Sequence, residues 1–347
     1  MSVMFHPLRV RAIEPDTQEA VIVSFDVPTD LREVFGFTQG QYLTLRTDID
    51  GQDLRRSYSI CAGVDDGELR VGVRKVRGGV FSNWINEHLK PGDTVNVMAP
   101  QGRFFVPIEP QAQRHHVGIA GGSGITPILS IMRTTMEIET GSRFTLFYGN
   151  RTAESTMFAT ELEELEARYA DRLRVVHIRS AEAHHPTALR GRIDLPMVQR
   201  LLAGSLNSID RWYLCGPSGL VTTLRDDLAS VGVPTDRVHL ELFRGTGQAI
   251  DVADYPPADV TITLSGAEHT VGLTAGETVL ESALKNDIDA PYACLGGACG
   301  TCKAKLITGA VSMEQNFALN TAEVEAGFIL TCQSHPTTPT VAVDYDC

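Results

Sequence analysis

Short apolar runs separated by glycine or proline occupy the first third of the chain, and within each run apolar and polar residues alternate. Residues 20–25, 42–45 and 69–73 are examples. A period of two places one face of a strand in a core, so these runs predict an antiparallel β-barrel. A helix is predicted at 81–89, because Lys-Pro-Gly-Asp at 90–93 ends a helix and starts a turn.

The pattern changes near residue 114 to a repeated order of strand, loop and helix. Strand-like runs occur at 116–120, 143–148, 173–178 and 211–215, and helix-like runs at 128–132, 161–168 and 197–202. Such alternation predicts a parallel sheet flanked by helices. A dinucleotide would bind at the carboxyl ends of these strands.

A chain of 347 residues is too long for one ordinary hydrophobic core, so several domains are expected. Glycine at 245 and 247 and proline at 256 and 257 give a composition typical of a linker. The predicted fold is multidomain. It has a β-barrel domain at 1–107, an α/β parallel-sheet domain at 108–247, a linker at 248–257 and a third domain at 258–347.

The net charge of the chain is −13, and residues 258–347 hold eleven acidic against three basic residues. This acidity argues against a nucleic-acid partner, because binding phosphates requires clustered lysine and arginine. The N-terminal residues lack the features of a secretory signal, and no run approaches the roughly 20 apolar residues of a membrane span. We therefore expect a cytoplasmic protein that binds neither membrane nor nucleic acid.

The spacing of the cysteines is the most specific feature of the sequence. Cys294, Cys299 and Cys302 follow the pattern C-x4-C-x2-C, and Cys332 comes later, which is the ligand arrangement of plant-type [2Fe–2S] centres. The glycines between them allow a strained loop that turns backbone N–H groups toward the sulfurs. A zinc site is the alternative, although its four thiolates usually come as two short-spaced pairs.

Two segments of the predicted barrel have the chemistry that FAD requires. Residues 55–59, Arg-Arg-Ser-Tyr-Ser, offer a cation for phosphate, a ring for stacking and hydroxyls for hydrogen bonds. Residues 78–82, Gly-Gly-Val-Phe-Ser, open the predicted helix, whose N–H groups can hold a pyrophosphate. By itself the first segment is more often an exposed strand, but the two together indicate one ligand.

Two further loops have the character of a nucleotide site. Residues 121–127, Gly-Gly-Ser-Gly-Ile-Thr-Pro, lie between a predicted strand and a predicted helix, where glycines permit a diphosphate to approach the helix start. This loop departs from the G-x-G-x-x-G fingerprint, so alone it is weak evidence. Residues 215–219, Cys-Gly-Pro-Ser-Gly, come at the end of the strand predicted at 211–215.

These motifs resemble two known families. Residues 291–303 are similar to the cluster loop of plant-type ferredoxins, which implies an α+β, β-grasp-like third domain. The order of R-x-Y-S, G-x-x-S and the glycine loop resembles the ferredoxin–NADP⁺ reductase superfamily, in which the barrel binds FAD. In that superfamily's pattern, Arg56 binds the pyrophosphate, Tyr58 stacks on the isoalloxazine and Ser59 reaches flavin N5. The remaining predicted flavin-site residues are Ser57, Arg74, Lys75, Gly79, Val80 and Ser82.

The same resemblance implies a hydride-transfer site. Cys215 lies beside the nicotinamide carbon that yields hydride, and Glu241 and Phe243 complete the site. Phe243 departs from the family, which has tyrosine at the end of its chain. The predicted catalytic residues are Ser59, Cys215, Glu241 and Phe243. The other predicted nucleotide-site residues are Gly121, Gly122, Ser123, Gly124, Thr126, Gly216 and Pro217.

More narrowly, the runs at 311–317, 326–333 and 341–346 resemble the family of phenylacetyl-CoA epoxidase reductases. This implies a reductase that passes electrons from NADPH through FAD and the [2Fe–2S] cluster to a diiron oxygenase component in phenylacetate catabolism. The same resemblance implies NADPH as the donor, with NADH less favoured. Arg151 and Ser180 are candidates to pair the 2′-phosphate of NADPH, and each could equally be a solvated surface residue. The alternatives are a reductase of a ring- or steroid-hydroxylating oxygenase, and a redox sensor or scaffold with negligible turnover.

Overall fold

A computed structural model describes residues 4–182, 188–202, 206–243 and 255–347. The described residues form two compact units. The first contains residues 6–52 and the described part of 58–243, and the second contains residues 4–5, 53–57 and 255–347. Residues 248–254 of the predicted linker lie outside the described residues.

The first sheet has six strands in the order β4-β3-β6-β1-β2-β5. Its strands are β1 (Phe5–Thr17), β2 (Ala20–Asp26), β3 (Tyr42–Ile49), β4 (Gln52–Ser59), β5 (Leu69–Arg74) and β6 (Thr94–Met98), and helix α1 (Val80–Glu87) precedes β6. The pairs β1–β2, β2–β5 and β3–β6 are antiparallel. A β-bridge from Ile60, just after β4, to Val71 of β5 brings the edges of the sheet together, as the predicted barrel requires.

Local sequence explains one hairpin of this sheet. Asp50 and Gly51 join β3 to β4 and have φ angles of 54° and 79°. A two-residue Asp-Gly turn with positive φ at both positions matches the right-handed twist of the strands it connects. The register of β4 is therefore set by the turn.

The second sheet has six strands in the order β10-β9-β8-β7-β11-β12, and every adjacent pair is parallel. Its strands are β7 (His115–Gly121), β8 (Arg143–Asn150), β9 (Leu173–Arg179), β10 (Ala188–Arg190), β11 (Arg211–Pro217) and β12 (Val238–Phe243). Its helices are α2 (Ile125–Ile138), α3 (Ala159–Arg168), α4 (Leu195–Leu202) and α5 (Ser218–Ser230). The four predicted strands and three predicted helices are all present, so the prediction of a parallel α/β sheet is confirmed.

The strand order reverses at β7, because the chain continues to β8 on one side and later returns to β11 on the other. In open α/β sheets a cleft forms at the carboxyl ends of the strands where the order reverses. The glycine loop at 121–124 lies at this point. Among the described residues no helix is both long and apolar enough to cross a bilayer.

The third sheet lies in the second unit and has five strands in the order β14-β13-β19-β15-β17, with a separate pair β16-β18. The elements are β13 (Ala258–Leu264), β14 (Ala267–Leu273), α6 (Val279–Lys285), β15 (Lys303–Thr308), β16 (Val311–Met313), α7 (Thr321–Glu325), β17 (Phe328–Leu330), β18 (Ser334–Pro336) and β19 (Thr340–Asp344). An antiparallel β13–β14 hairpin, a parallel β13–β19 pair and a helix packed on the sheet give the predicted β-grasp-like arrangement.

Candidate functional site

The four predicted ligand cysteines come together in two pairs. A hydrogen bond from the Cys299 thiol lowers the pKa of Cys294 to about 6. The same contact between Cys302 and Cys332 lowers the pKa of Cys332. A pairing of four thiols in this way suits a binuclear cluster, in which each metal ion takes two thiolate ligands.

The backbone around the first pair points its N–H groups at sulfur. The N–H of Gly296 donates to Cys294 Sγ at 3.4 Å, and the N–H groups of Ala298 and Cys299 also point to this sulfur. Such donors stabilise a thiolate-bound cluster because they compensate its negative charge. The sequence-based expectation for the glycine-rich loop is therefore met by its geometry.

Glycine is required at two positions of this loop. Gly297 and Gly300 have φ angles of 71° and 74°, which side chains rarely adopt. A Cβ on Gly297 would lie 2.8 Å from the carbonyl oxygen of Gln315. The loop can therefore wrap closely only with glycine at this position.

The paired arrangement fits a [2Fe–2S] cluster better than a single zinc ion. A tetrahedral zinc site needs its four ligands around one point. The two-by-two pairing instead matches the need of a binuclear cluster for two terminal thiolates on each iron.

The predicted hydride-transfer residues meet within the first unit. Ser59 Oγ, at the end of β4, donates to Glu241 Oε2 of β12 at 3.1 Å. Glu241 is the register partner of Cys215 on β11, and Cys215 is the register partner of Ala120 on β7. Three segments far apart in the sequence therefore converge beside the neighbouring strands β11 and β12.

Cys215 is a neutral thiol at this point. Its side chain is fully buried. Burial, together with the nearby charge of Glu241, raises the pKa of the thiol well above its ordinary value. Cys215 therefore offers a small, soft and uncharged surface and not a nucleophile.

The two glycine loops pack directly against each other. A Cβ on Gly124 would lie 2.3 Å from the carbonyl oxygen of Cys215, and one on Gly121 would lie 2.8 Å from Pro217 Cδ. Gly216 has a φ of 148° and lies against the backbone of Gly121. The contact holds the starts of α2 and α5 side by side.

The helices at these loops begin without side-chain caps. Helices α1, α2 and α5 have Gly79, Gly124 and Pro217 at their N-caps, and none of these accepts a hydrogen bond from the first turn. Helices α6 and α7 in the second unit have complete capping boxes. A helix start without a side-chain cap is suited to bind an anion. Helix α3, with Phe158 at its N-cap, lacks a side-chain cap as well. The fit of α1, α2 and α5 to the phosphates of FAD and a nicotinamide nucleotide therefore depends on their position after the predicted phosphate loops.

Gly72, which was not among the predicted site residues, allows strand β5 of the barrel to approach the nucleotide-binding module closely. A Cβ on Gly72 of β5 would lie 2.8 Å from Thr126 Cγ2 and 2.9 Å from Phe158. Thr126 is buried, and its hydroxyl donates to the carbonyl of Ser123 at 3.0 Å. A lone glycine inside a predicted strand signals close approach of another segment, and this signal was present in the sequence.

The predicted flavin residues lie on β4, on β5 and at the start of α1. Arg56, Ser57 and Tyr58 are half-buried, and the Tyr58 ring lies 6.1 Å from that of Phe81. The guanidinium of Arg56 donates to the Arg55 carbonyl at 2.7 Å. Arg56 and Tyr58 are two residues apart on the strand and so share one face of it.

The other predicted phosphate residues lie at the start of α1, where Gly79 is the N-cap and Val80 and Ser82 are in the first turn. Ser82 is buried, and its hydroxyl accepts a hydrogen bond from the Val76 N–H at 3.1 Å. Gly79 lies against this hydroxyl, and a Cβ there would be 2.9 Å from it. Val80 is 53% exposed, so only its backbone is suited to contact a phosphate.

Arg74 and Lys75 are held in surface ion pairs. Arg74 pairs with Glu19 at 3.1 Å and Lys75 with Glu87 at 2.9 Å. The Arg74 guanidinium also lies 3.1 Å from the position of a Cβ on Gly122. The structure therefore brings Arg74 to the nucleotide loop, whereas Lys75 lies against α1.

The predicted 2′-phosphate residues follow adjacent strands. Arg151 comes directly after β8 and Ser180 directly after β9, and both are exposed. The Ser180 hydroxyl donates to the Asn150 carbonyl at 3.4 Å. Phe243, the last described residue of β12, is half-buried and packs on the core of the first unit.

Three family models match the chain in one order. The model described as "Oxidoreductase FAD-binding domain" matches residues 7–106. The model described as "Oxidoreductase NAD-binding domain" matches residues 119–226. The model described as "2Fe-2S iron-sulfur cluster binding domain" matches residues 262–337. The FAD-, NAD- and cluster-binding modules predicted from the motifs are therefore confirmed.

Similar proteins extend over nearly the whole chain. It is 40% identical to one of the subunits of the 1,2-phenylacetyl-CoA epoxidase of Escherichia coli K12, over 99% of this chain and 98% of that protein. It is 33% identical to the ferredoxin reductase component of the 3-ketosteroid-9-alpha-monooxygenase of Mycobacterium tuberculosis, over 98% of this chain and 95% of that protein.

The fold is also that of a solved reductase. Phthalate dioxygenase reductase superposes with a TM-score of 0.63 at 26% identity, over 98% of each chain. That protein is described as a modular structure for electron transfer from pyridine nucleotides to [2Fe–2S]. Together with the paired cysteines and the convergence of Ser59, Cys215 and Glu241, these matches establish that the chain is an oxidoreductase belonging to the family of oxygenase reductase components with FAD-, NAD- and [2Fe–2S]-binding domains, the family that includes the phenylacetyl-CoA epoxidase reductase.

Proposed function

We propose that this chain takes hydride from NADPH onto FAD and passes single electrons through its [2Fe–2S] cluster to the diiron oxygenase component of a cytoplasmic phenylacetyl-CoA epoxidase. The 3.1 Å contact between Ser59 and Glu241 carries the proposal. It joins the strand that resembles a flavin-binding strand to the strand beside Cys215. A flavin ring on Tyr58 and a nicotinamide ring at Cys215 would therefore face one another.

The chemistry requires a carrier between hydride and cluster. Hydride brings two electrons and a [2Fe–2S] cluster accepts one, and bound FAD supplies the conversion between them. The protein residues supply positioning. Ser59 and Glu241 hold hydrogen-bonding groups at the meeting point, and the buried Cys215 thiol leaves room for a flat ring without adding charge. Phe243 is the aromatic residue that the resemblance places at the flavin face, and its ring packs on the core that contains Cys215.

The domain organisation proposed for this electron path follows the chain order. FAD is bound by residues 1–107 and the nicotinamide nucleotide by residues 108–247. Residues 248–257 form a linker, and residues 258–347 carry the cluster. The support is that the strand, loop and cysteine patterns change near these limits.

Serial transfer from flavin to cluster is tested by Cys299→Ser. We expect this change to abolish cytochrome c reduction while largely sparing ferricyanide reduction, because ferricyanide accepts electrons directly from flavin. Cys347→Ser is the matched control, since Cys347 is an exposed thiol outside the four-cysteine site. Equal losses in both assays for Cys299→Ser would refute the serial path.

The preference for NADPH is supported by Arg151 and Ser180, which lie at the ends of adjacent strands where an adenosine ribose can be contacted. We expect Arg151→Ala to lower kcat/KM for NADPH by about tenfold and to change that for NADH little, because a 2′-phosphate needs a cation. Arg168→Ala on the exposed face of α3 is the control. An equal effect on both nucleotides would remove Arg151 from the specificity site.

The oxygenase partner is identified by reconstitution. The purified chain and NADPH are combined with the diiron component of phenylacetyl-CoA epoxidase, or with a 3-ketosteroid monooxygenase. Epoxide formation from phenylacetyl-CoA supports the proposal. Product only with the steroid enzyme would assign the chain to that system instead. Turnover with cytochrome c far below about 1 s⁻¹ would indicate a sensor and not an electron supplier.

A further inference from the structure

Gln333 follows the fourth cysteine ligand and has a buried side chain, 6% exposed. Its amide nitrogen is 3.0 Å from the carbonyl oxygen of Leu295 and 2.7 Å from that of Cys332. The same nitrogen is 3.6 Å from Cys332 Sγ. One side chain therefore connects the loop of the first three ligands to the segment of the fourth.

The surrounding chain is built around this amide. Leu295 has a φ of 54°, which is unusual for a residue with a side chain and turns its carbonyl toward Gln333. A Cβ on Gly297 would lie 3.2 Å from Gln333 Cγ, so the missing side chain makes room for the glutamine.

Residues 311–317 contact both Gln333 and the loop of the first three ligands through backbone hydrogen bonds. The N–H of Glu314 donates to the Gln333 carbonyl at 2.9 Å, and the N–H of Phe317 donates to the Gly297 carbonyl at 3.0 Å. In the sequence this run is only a subfamily feature. In the structure it fixes both sides of the contact between Gln333 and the ligand loop.

We propose that Gln333 is a positioning residue for the cluster: its amide holds the two ligand segments together and donates toward the Cys332 sulfur, which raises the reduction potential. A donor near a ligand sulfur stabilises the reduced cluster, because that form carries the additional negative charge. This inference rests on the proposed function, since it needs a bound [2Fe–2S] cluster that accepts one electron.

The test uses the full-length protein, purified anaerobically, with Gln333→Met and Gln333→Glu. Methionine keeps the length of the side chain and removes the donor, and glutamate removes the donor and adds a charge. Gln199→Met, on the exposed face of α4, is the matched control. The measurements are iron and sulfide content, flavin content, and the midpoint potential from a spectroscopic titration.

We expect the methionine variant to make reduction of the cluster about tenfold less favourable, which corresponds to about 59 mV for one electron. The midpoint potential of the cluster should fall further in the glutamate variant, and it should be unchanged in the Gln199→Met control. Loss of iron with flavin retained in either variant would also support the proposal, because it would show that the Gln333 amide holds the two ligand segments together.

Unchanged iron content and potential in both variants would overturn the inference. So would a potential shifted upward, or a loss of flavin together with iron, since the latter indicates a general role in folding. A wild-type protein without iron or flavin would instead refute the proposed function. The two failures are therefore distinguishable.

Discussion

The close contact between the two glycine loops allows a specific prediction about Gly124. Its φ of −62° is ordinary, so replacement by alanine introduces no backbone strain and acts through space alone. The new Cβ would lie 2.3 Å from the Cys215 carbonyl oxygen, whereas ordinary contact begins at 3.4 Å. The loops must separate by about 1 Å.

A displacement of this size is large for hydride transfer. A misplacement of about 1 Å can lower the rate of a positioned reaction by about 100-fold, or about 2.7 kcal/mol in activation free energy. Overpacking lowers the free energy of unfolding by an additional 1–3 kcal/mol, roughly. We therefore expect Gly124→Ala to slow flavin reduction by about 100-fold without removing the flavin.

Stopped-flow bleaching of the flavin by NADPH measures this rate directly. Gly219→Ala is the matched control. Gly219 belongs to the neighbouring loop motif, and a Cβ added at Gly219 would have no other atom within 4 Å. Alanine also favours the helix there, by about 1 kcal/mol. The steric reasoning would be refuted if the Gly124→Ala variant had full flavin content and its flavin were bleached by NADPH at the wild-type rate.

Three other predictions follow from the geometry. Gly297→Ala should lower the iron content at least several-fold, because the added Cβ would lie 2.8 Å from the Gln315 carbonyl oxygen. Gly272→Ala should leave the iron content unchanged, because a Cβ there would have no other atom within 4 Å, and equal iron in both variants would contradict the prediction. Burial disfavours ionised Glu139, but hydrogen bonds to its carboxylate outweigh burial and lower the pKa to about 2 from 4.5. Its contribution to the free energy of unfolding should therefore be present above about pH 4.5 and lost as the pH falls toward 2; Glu139→Gln should cost 1–3 kcal/mol, roughly, in neutral urea denaturation, and a variant as stable as wild type would show the network to be unimportant. A thiol reagent should label Cys347 in the native holoprotein and spare Cys61, which is fully buried with its pKa raised to about 12 by burial; rapid labelling of Cys61 would show that its surroundings open.

Much of the cluster site could be predicted because its chemistry lies in one short stretch. The spacing of three cysteines and the glycines between them are local features, and that spacing is the ligand pattern of plant-type clusters. Gln333 was not predictable, because its contact with Leu295 depends on how two separate segments fold together. Arg74 was predicted at the flavin, but an arginine on a strand does not indicate which loop its long side chain reaches.

The sequence by itself determined the types and order of the modules, since hydrophobic periodicity sets strand and helix and the motifs lie within a few residues of one another. Only the tertiary structure decided which distant residues meet. Ser59 reaches Glu241 because β12 pairs with β11 at a particular register, and Gly124 fits Cys215 because the strand order reverses at β7. Register and strand order arise from packing across the whole sheet, which no local pattern contains.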